Sequence, residues 1–438
     1  MKTIVSLITP PLNAAVAVIR MSGDEAKTIA QEIFSRPIEK PNHVYYGNII
    51  DGKEIVDQVL LTYFASPKSF TGEDVVEIST HGSMLIANQV IELIISKGAR
   101  LAERGEFSSR AYYNNKIDLV QAEAILSTIE ANTLEAKKLA LYSLNGETSS
   151  LIKPLIDNLA SLLSNIEVNI DYPEYLDIEE VTYSRIKKEC LEMVNELDKL
   201  LSQSKKSQYF MHGINVCLVG LPNTGKSSLL NAFLNQEKAI VTNVPGTTRD
   251  IVEGNINLDG LPLHLLDTAG IRKADNVVEQ IGISKSQESI KNADLVIMVL
   301  DATRQINDEE KEILNSIKDK NYILVYNKKD LIDKVDDDKI YISALNKDIS
   351  PLKKKILSLF NLSSSDLTPS LCTSRQVGLL QKAKNSLLKA QEDASNNVPI
   401  DLVSVSIKES YDGLKEILGM NVNIDLSEEI FSRFCVGK

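Results

Sequence analysis

INVCLVGLPNTGKSSLLNAFLN, residues 214–235, decides the fold of the centre of this chain. INVCLVGL is an uninterrupted apolar run that reads as a buried strand, and SLLNAFLN reads as a helix. Between them GLPNTGKS, Gly220 to Ser227, fits GxxxxGK[ST] at the strand-to-helix turn where that pattern has a mechanism. Gly220 and Gly225 let the backbone curl so that N–H groups point at phosphate oxygens. Lys226 brings a point charge, the helix N-terminus its dipole, and Ser227 a hydroxyl suited to Mg²⁺. Asn223, Thr224, Gly225, Lys226, Ser227 and Ser228 form the candidate phosphate side.

Three later stretches restrict the nucleotide. DTAG, Asp267, Thr268, Ala269 and Gly270, ends the apolar run LHLLDTAG; its carboxylate can hold a Mg²⁺-bound water and the Gly270 N–H can meet a γ-phosphate. NKKD, Asn327, Lys328, Lys329 and Asp330, ends YILVYNKKD. A carboxylate there accepts the N1–H and 2-amino hydrogens of guanine, which adenine does not offer in that arrangement. SAL, Ser343, Ala344 and Leu345, can back the guanine O6 through a backbone N–H. In order behind the first motif, these read as an α/β P-loop GTPase unit. Between them lies TNVPGTTRD, Thr242 to Asp250, where a threonine normally closes over Mg²⁺ and the γ-phosphate; Thr247 and Thr248 both remain candidates on position alone. After DTAG stands Ile271, where many GTPases carry a water-orienting glutamine. Another group must therefore orient water and neutralise charge. Asn223 and the Thr242–Thr247 loop supply oxygens for a monovalent cation. Glu279 can orient water through a bridging water, although spacing alone favours a solvated helix-surface carboxylate.

Outside this unit the texture differs. Residues 1–115 alternate the β-rich runs TIVSLI, AVAVIRM, VYYGNII, QVLLTYFA and DVVEIST with helices predicted near 24–34 and 83–97, an α+β pattern. From about 117 helical periodicity takes over: Leu151, Leu155, Leu159, Leu162 and Ile166 form one stripe, and Ile400, Val403, Ile407, Tyr411, Leu414 and Leu418 another. The expected organisation is an N-terminal domain at 1–116, a helical domain split into 117–212 and 366–438, and the GTPase unit of 213–365 inserted between its halves.

The 438 residues allow about two to four domains at roughly 100–200 residues each. A net charge of −12 with 25% charged residues is that of an ordinary soluble protein. It argues against a broad non-specific nucleic-acid surface, which runs on Lys and Arg. No apolar run reaches the ~20 residues of a membrane span, and MKTIVSLITPP lacks a secretory pattern. The four cysteines form no CxxC pair, so a reduced, cytoplasmic setting is expected.

The whole frame resembles the MnmE (TrmE) family of bacterial and organellar tRNA modification GTPases, of the TrmE–Era-like class. The resemblance is carried by TIVSLITPP and VIRMSG at the start, SFTGEDVVEISTHG at 69–82, ERGEFSSRAYYNNKIDLVQAEA at 103–124, PGTTRD among the GTPase signatures, and FCVGK at 434–438. It implies an N-terminal domain for tetrahydrofolate binding and dimerisation. With an FAD-dependent partner, MnmG, it implies installation of a carboxymethylaminomethyl or aminomethyl group at C5 of the wobble uridine of certain tRNAs. The one-carbon unit would come from 5-formyl- or methylene-tetrahydrofolate. Arg20, Glu77, Lys116 and Lys438 match the family's folate positions. Ser227 and Thr248 match magnesium; Asn223, Thr242, Val244 and Thr247 match potassium; Asn243, Pro245 and Gly246 complete that switch segment. Glu279 matches the catalytic glutamate. Cys435 matches a thiol considered catalytic or carrier-linked, with a small buried hydrophobe as the alternative. His81 either lines the folate site or is an ordinary polar loop residue, and Cys217 belongs to the core. The resemblance further implies a homodimer, a heterotetramer with MnmG, and K⁺-dependent pairing of GTPase domains that drives hydrolysis. One departure is LNAA at 12–15, where the family usually has a Gly-rich turn; a different turn and an altered folate affinity are expected. The alternatives are a regulatory or ribosome-assembly GTPase switch, which would normally append a basic RNA-binding domain, and a degenerate paralogue that binds GTP without modifying tRNA.

Overall fold

The computed structural model describes residues 2–171, 182–236, 252–266, 289–360, 362, 367–421, 424–434 and 437. The chain forms two compact units: Met1–Leu126 with Leu144–Glu179 and Ser404–Lys438, and Ser127–Ser143 with Glu180–Val403. These units cut across the helical segments read from texture. Residues 127–143, the helix Tyr183–His212 and the helix Ser374–Ser395 go with the nucleotide-type sheet, while the helix Glu147–Asp171 goes with the N-terminal sheet.

The first unit carries a six-stranded sheet of β1 (Ile4–Leu7), β2 (Val16–Ser22), β3 (His43–Asp51), β4 (Glu54–Phe64), β5 (Val75–His81) and β6 (Arg100–Leu101), in the order β3-β4-β5-β2-β1-β6. All pairs are antiparallel except β1 with β6. Alternation sorts each strand: Ile19, Met21, Leu61, Val76 and Ile78 face a core closed by Ile29 and Ile33 of the helix Ala26–Ile33 and Ala87, Val90 and Ile94 of the helix Met84–Ser96. The opposite parity places Arg20 and Glu77 on the other face.

The loop at 12–15 seats without glycine. Ala14 N–H donates to the Gly82 carbonyl at 2.9 Å, and Gly82 N–H to that of Ala15 at 3.3 Å. Asn13 Oδ1 accepts the Met84 N–H at 3.1 Å, serving an orphan donor of the helix start. A Cβ on Gly82 would strike the Ala14 carbonyl, so the close approach needs glycine on that side. None of residues 12–15 takes a positive φ.

The second unit carries the other sheet, β7 (Ile214–Val219), β8 (Val252–Leu258), β9 (Leu261–Leu266), β10 (Leu295–Asp301), β11 (Tyr322–Asn327) and β12 (Ile340–Tyr341), in the order β12-β11-β10-β7-β9-β8. Neighbours are parallel except for β8 with β9. Val216, Leu218, Ile297 and Val299 face a core shared with Leu229 and Phe233 of the helix Lys226–Gln236, while Cys217, Val219, Val296 and Met298 face the other layer. Burial on both sides explains the unbroken apolar runs. The helices Tyr183–His212 and Ser374–Ser395 pack antiparallel, joined by the Lys384–Asp198 ion pair at 2.5 Å, and just before the second of them Ser370 Oγ donates to Ser207 Oγ at 2.6 Å.

Candidate functional site

Loops at the carboxyl ends of parallel strands gather ligands where strand order reverses, and β7, flanked by β9 and β10, stands at that point. The chain leaves β7 through Gly220 at φ 145°, Asn223 at φ 64° and Gly225 at φ 96°, then enters the helix Lys226–Gln236. A Cβ at Gly225 would collide with the Asn327 amide, so that glycine is needed for close approach as well as for its backbone angle. Thr224 is buried beneath the loop, its Oγ1 donating to the Leu221 carbonyl at 2.9 Å. Lys226 Nζ donates to the carbonyls of Gly220 at 2.7 Å and Leu221 at 2.8 Å. Burial lowers its pKa. A phosphate anion would favour the charged form at this position.

Asn327, at the end of β11, joins three loops. Its Nδ2 donates to the Thr224 carbonyl at 2.9 Å, and its Oδ1 accepts the Ala344 N–H at 3.0 Å. Lys329 N–H donates to the Ile342 carbonyl at 3.0 Å. Ser343 Oγ donates to Asp330 Oδ1, fixing the direction of that exposed carboxylate. The cleft so formed has a volume of about 490 Å³, within the range of ligand sites. Asn223, Gly225, Lys226 and Ser227 line one part and Asn327, Lys328, Asp330 and Leu345 another. Ser228 is on the wall as expected, and Leu331 joins it unforeseen. Thr224, Ser343 and Ala344 are buried, and Lys329 pairs with Asp348 at 3.6 Å. Ser227, the second residue of the helix, has an exposed side chain, so its hydroxyl fits a Mg²⁺ ligand. Asn223 sits exposed on the cleft wall, with a side-chain oxygen suited to K⁺. Thr242, Asn243, Val244, Pro245, Gly246, Thr247, Thr248, Asp267, Thr268, Ala269, Gly270, Glu279, Cys435 and Lys438 lie outside the described residues.

In the first unit, Arg20 and Glu77 stand in register on β2 and β5 and pair with each other. Arg20 Nε donates to Glu77 Oε1 at 2.8 Å, and Nη2 lies 2.7 Å from the same oxygen. The guanidinium sits 5.5 Å from the ring centroid of Phe70 and 5.6 Å from that of Phe107, in cation–π range. Lys116 Nζ donates to the Pro67 carbonyl at 2.9 Å. Three of the four expected folate residues thus converge on the loop carrying Pro67 and Phe70. The half-exposed Glu77 carboxylate and the basic Arg20 and Lys116 are chemically suited to a pterin's N–H groups and to glutamyl carboxylates.

Sequence spacing alone does not mark Phe70 and Phe107, whose rings lie near the Arg20 guanidinium, as part of this cluster. Arg110 was missed as well: 4% exposed, it pairs with Glu73 at 2.9 Å and Glu106 at 2.9 Å and donates to the Lys2 carbonyl at 2.8 Å. His81 Nδ1 lies 2.7 Å from Asp57 Oδ1, and its backbone N–H donates to Asp57 Oδ2 at 2.8 Å. Burial pushes the thiols of Cys190, Cys217 and Cys372 up to about 12, which makes them inert core groups. Among the described residues no group of three or more His, Cys, Asp or Glu is arranged to hold a metal. Among them, too, no helix is long and apolar enough to cross a membrane.

A family model described as the MnmE helical domain matches residues 119–435, and one described as the GTP-binding protein TrmE N-terminus matches residues 3–116. The tRNA modification GTPase MnmE of Bacillus licheniformis is 39% identical over 460 residues, covering 100% of each chain. That of Clostridioides difficile is 42% identical over 455 residues, covering 100% of this chain and 99% of its own. That of Streptococcus pyogenes serotype M5 is 40% identical over 451 residues, covering 100% and 98%.

Proposed function

The chain belongs to the MnmE family of tRNA modification GTPases, and from that premise we propose that it spends GTP to help install an aminomethyl-type group at C5 of the wobble uridine of certain tRNAs. In this reading it works in the cytoplasm as a homodimer with an FAD-dependent MnmG-type partner. Tetrahydrofolate, when bound, supplies the one-carbon unit. The domain plan is a folate and dimerisation domain at 1–116, the GTPase unit at 213–365, and helical parts at 117–212 and 366–438.

The roles of Glu279, of Thr248, of the K⁺ and folate positions and of Cys435 are those the family resemblance implies, and those of the phosphate and base loops follow also from their chemistry. Lys226 and the amides of Gly225 to Ser228 hold the β- and γ-phosphates, and Ser227 and Thr248 hold Mg²⁺. Asp330 accepts the guanine N1–H and 2-amino hydrogens. Glu279 orients the attacking water through a second water. The new bond joins water oxygen to the γ-phosphorus, the bond to the β–γ bridging oxygen breaks, and the products are GDP and inorganic phosphate. Asn223, Thr242, Val244 and Thr247 would hold K⁺, which would supply positive charge to the transition state. Arg20, Glu77, Lys116 and Lys438 hold the folate, and Cys435 is the candidate thiol by its place in the FCVGK motif.

The observation that carries the nucleotide half is the Asn327 amide, which ties the phosphate loop to the base loop around one cleft. Nucleoside analysis of tRNA from cells lacking the chain tests the whole reading. Loss of the C5-substituted wobble uridine supports it; an unchanged modification profile overturns it. For the purified chain, hydrolysis faster in K⁺ than in Na⁺ and retention of reduced folate are expected, and equal rates without folate retention would remove the mechanism.

A further inference from the structure

Lys328 stands in a left-handed conformation, φ 69° and ψ 35°, which residues with a side chain usually avoid. This turn delivers Asp330 to Ser343 two residues later, so whatever holds it also aims the carboxylate. Asp301 is in place to do so. It ends β10 in register with Asn327, the end of β11, and its Oδ2 lies 2.5 Å from Lys328 Nζ. Its Oδ1 accepts the Thr303 N–H at 3.0 Å and the Thr303 hydroxyl at 2.7 Å, which fixes the carboxylate plane. Ala302 N–H donates to the Asn327 carbonyl at 2.9 Å and closes the same corner. Burial works to raise the Asp301 carboxyl, but the hydrogen bonds from Lys328 and Thr303 outweigh it and bring it to about 2. The Asp301 carboxylate is therefore ionised throughout the neutral range.

Lys328 lines the cleft while its ammonium is turned to Asp301. The surface it offers a flat base is then its methylene stem. Released, the ammonium would seek ribose or phosphate oxygens and draw the turn with it.

We propose that Asp301 is a positioning residue for guanine specificity: by holding Lys328 it keeps the lysine stem against the base and aims Asp330. The proposal rests on Asn327–Asp330 being the base-reading loop.

The test compares dissociation constants for GDP and for IDP, which lacks the 2-amino group, on the full chain. Asp301→Asn keeps the shape and removes the charge. It is expected to weaken GDP binding about tenfold, the scale of one charge-assisted contact, and IDP binding less, so that the GDP/IDP preference falls. Lys328→Met should lose a comparable amount, and the double variant should be no worse than Lys328→Met alone. An unchanged GDP/IDP preference in Asp301→Asn, or losses that add in the double variant, would overturn the proposal. Should Asp301→Asn fail to fold by circular dichroism, Thr303→Val decides. It keeps the charge but frees the carboxylate plane, so a smaller fall in preference supports the proposal and none refutes it. Asp330→Asn separates the two levels. If it leaves the preference intact, the loop reading fails; if it abolishes the preference while Asp301→Asn retains it, the Asp301 role alone fails.

Discussion

Asn327 Nδ2 and the Thr224 carbonyl oxygen meet at 2.9 Å, so one buried amide joins loops 103 positions apart in the chain. The same side chain accepts from Ala344 N–H, so phosphate side and base side are held by a single residue. Asn327→Ala leaves that carbonyl and that N–H unpaired in a buried place, at about 1–3 kcal/mol each. Binding must then reassemble the cleft, so GDP affinity is expected to fall about 100-fold, with a lower thermal midpoint. Titration calorimetry and thermal denaturation measure both; unaltered GDP affinity would separate the amide from the site.

Under the proposed function Asp330 carries the choice of base. Its carboxylate accepts from Ser343 and can accept from guanine as well. Asp330→Asn replaces an acceptor by a donor, so preference should move from GTP toward XTP, whose C2 oxygen accepts. Competition between the two nucleotides for the full chain reads this directly. Retained GTP preference contradicts the assignment.

Hydrolysis and binding should separate at Glu279. Glu279→Ala is expected to slow GTP turnover in K⁺ by about 10²-fold or more, the scale of losing a general-base or water-orienting group, with the GTP dissociation constant nearly unchanged. Single-turnover assays beside equilibrium binding make the distinction. Equal loss of both would indicate a structural side chain.

In the first unit the ionic cluster around Arg110 is a stability element. Arg100, Arg110, Glu106 and Glu73 interlock through contacts of 2.5–3.3 Å, and Arg110 is buried. Arg110→Met leaves the buried Glu73 carboxylate without its cation, while Glu106 keeps Arg100, and is expected to cost about 3–5 kcal/mol, seen as a lowered denaturation midpoint. Burial works to raise the Glu106 carboxyl, but bonds from Arg100, the Glu103 N–H and Arg110 hold it below its ordinary value of 4.5. A depressed folded-state pKa contributes stability above that ordinary value, and the contribution is lost as pH falls through the lower folded value. Glu106→Gln should therefore flatten this part of the acid limb of stability, whereas a limb identical to that of the parent chain would rule the carboxylate out.

Much of the fold was legible because each sheet writes its burial into local sequence. The five β-rich runs of the N-terminal region correspond to β1 to β5, and the double-sided burial of β7 and β10 shows as unbroken apolar runs. The helical stripe at 151–166 was read slightly off its axis: Ile152 is buried and Leu151 only half so. β8 escaped notice because EGNINL is too polar for its pattern to stand out, and the two-residue β6 is too short for any period. Nucleotide motifs announce themselves because adjacent residues share one ligand. Asp301, Arg110 and Asp57 did not, since their partners are set by strand register and long-range packing. Nor does spacing tell that Arg20 and Glu77 face each other across β2 and β5.

That pairing makes the last prediction a comparison of single and double changes. Arg20 spends Nε and Nη2 on one oxygen of Glu77 while its face rests near Phe70 and Phe107. Arg20→Gln deprives Glu77 of its counter-charge, and Glu77→Gln does the reverse. If the pair only braced the sheet, restoring neutrality in the double variant would recover most of the lost stability and nothing else would change. A folate-holding role predicts another pattern. Stability recovers in the double variant, but retention of reduced folate stays at least about tenfold below that of the parent chain, because the anchoring charges are gone. GDP binding should be untouched in all three variants, since Arg20 and Glu77 belong to the unit that does not hold the P-loop. Folate retention that recovers together with stability would reduce Arg20 and Glu77 to a structural clasp.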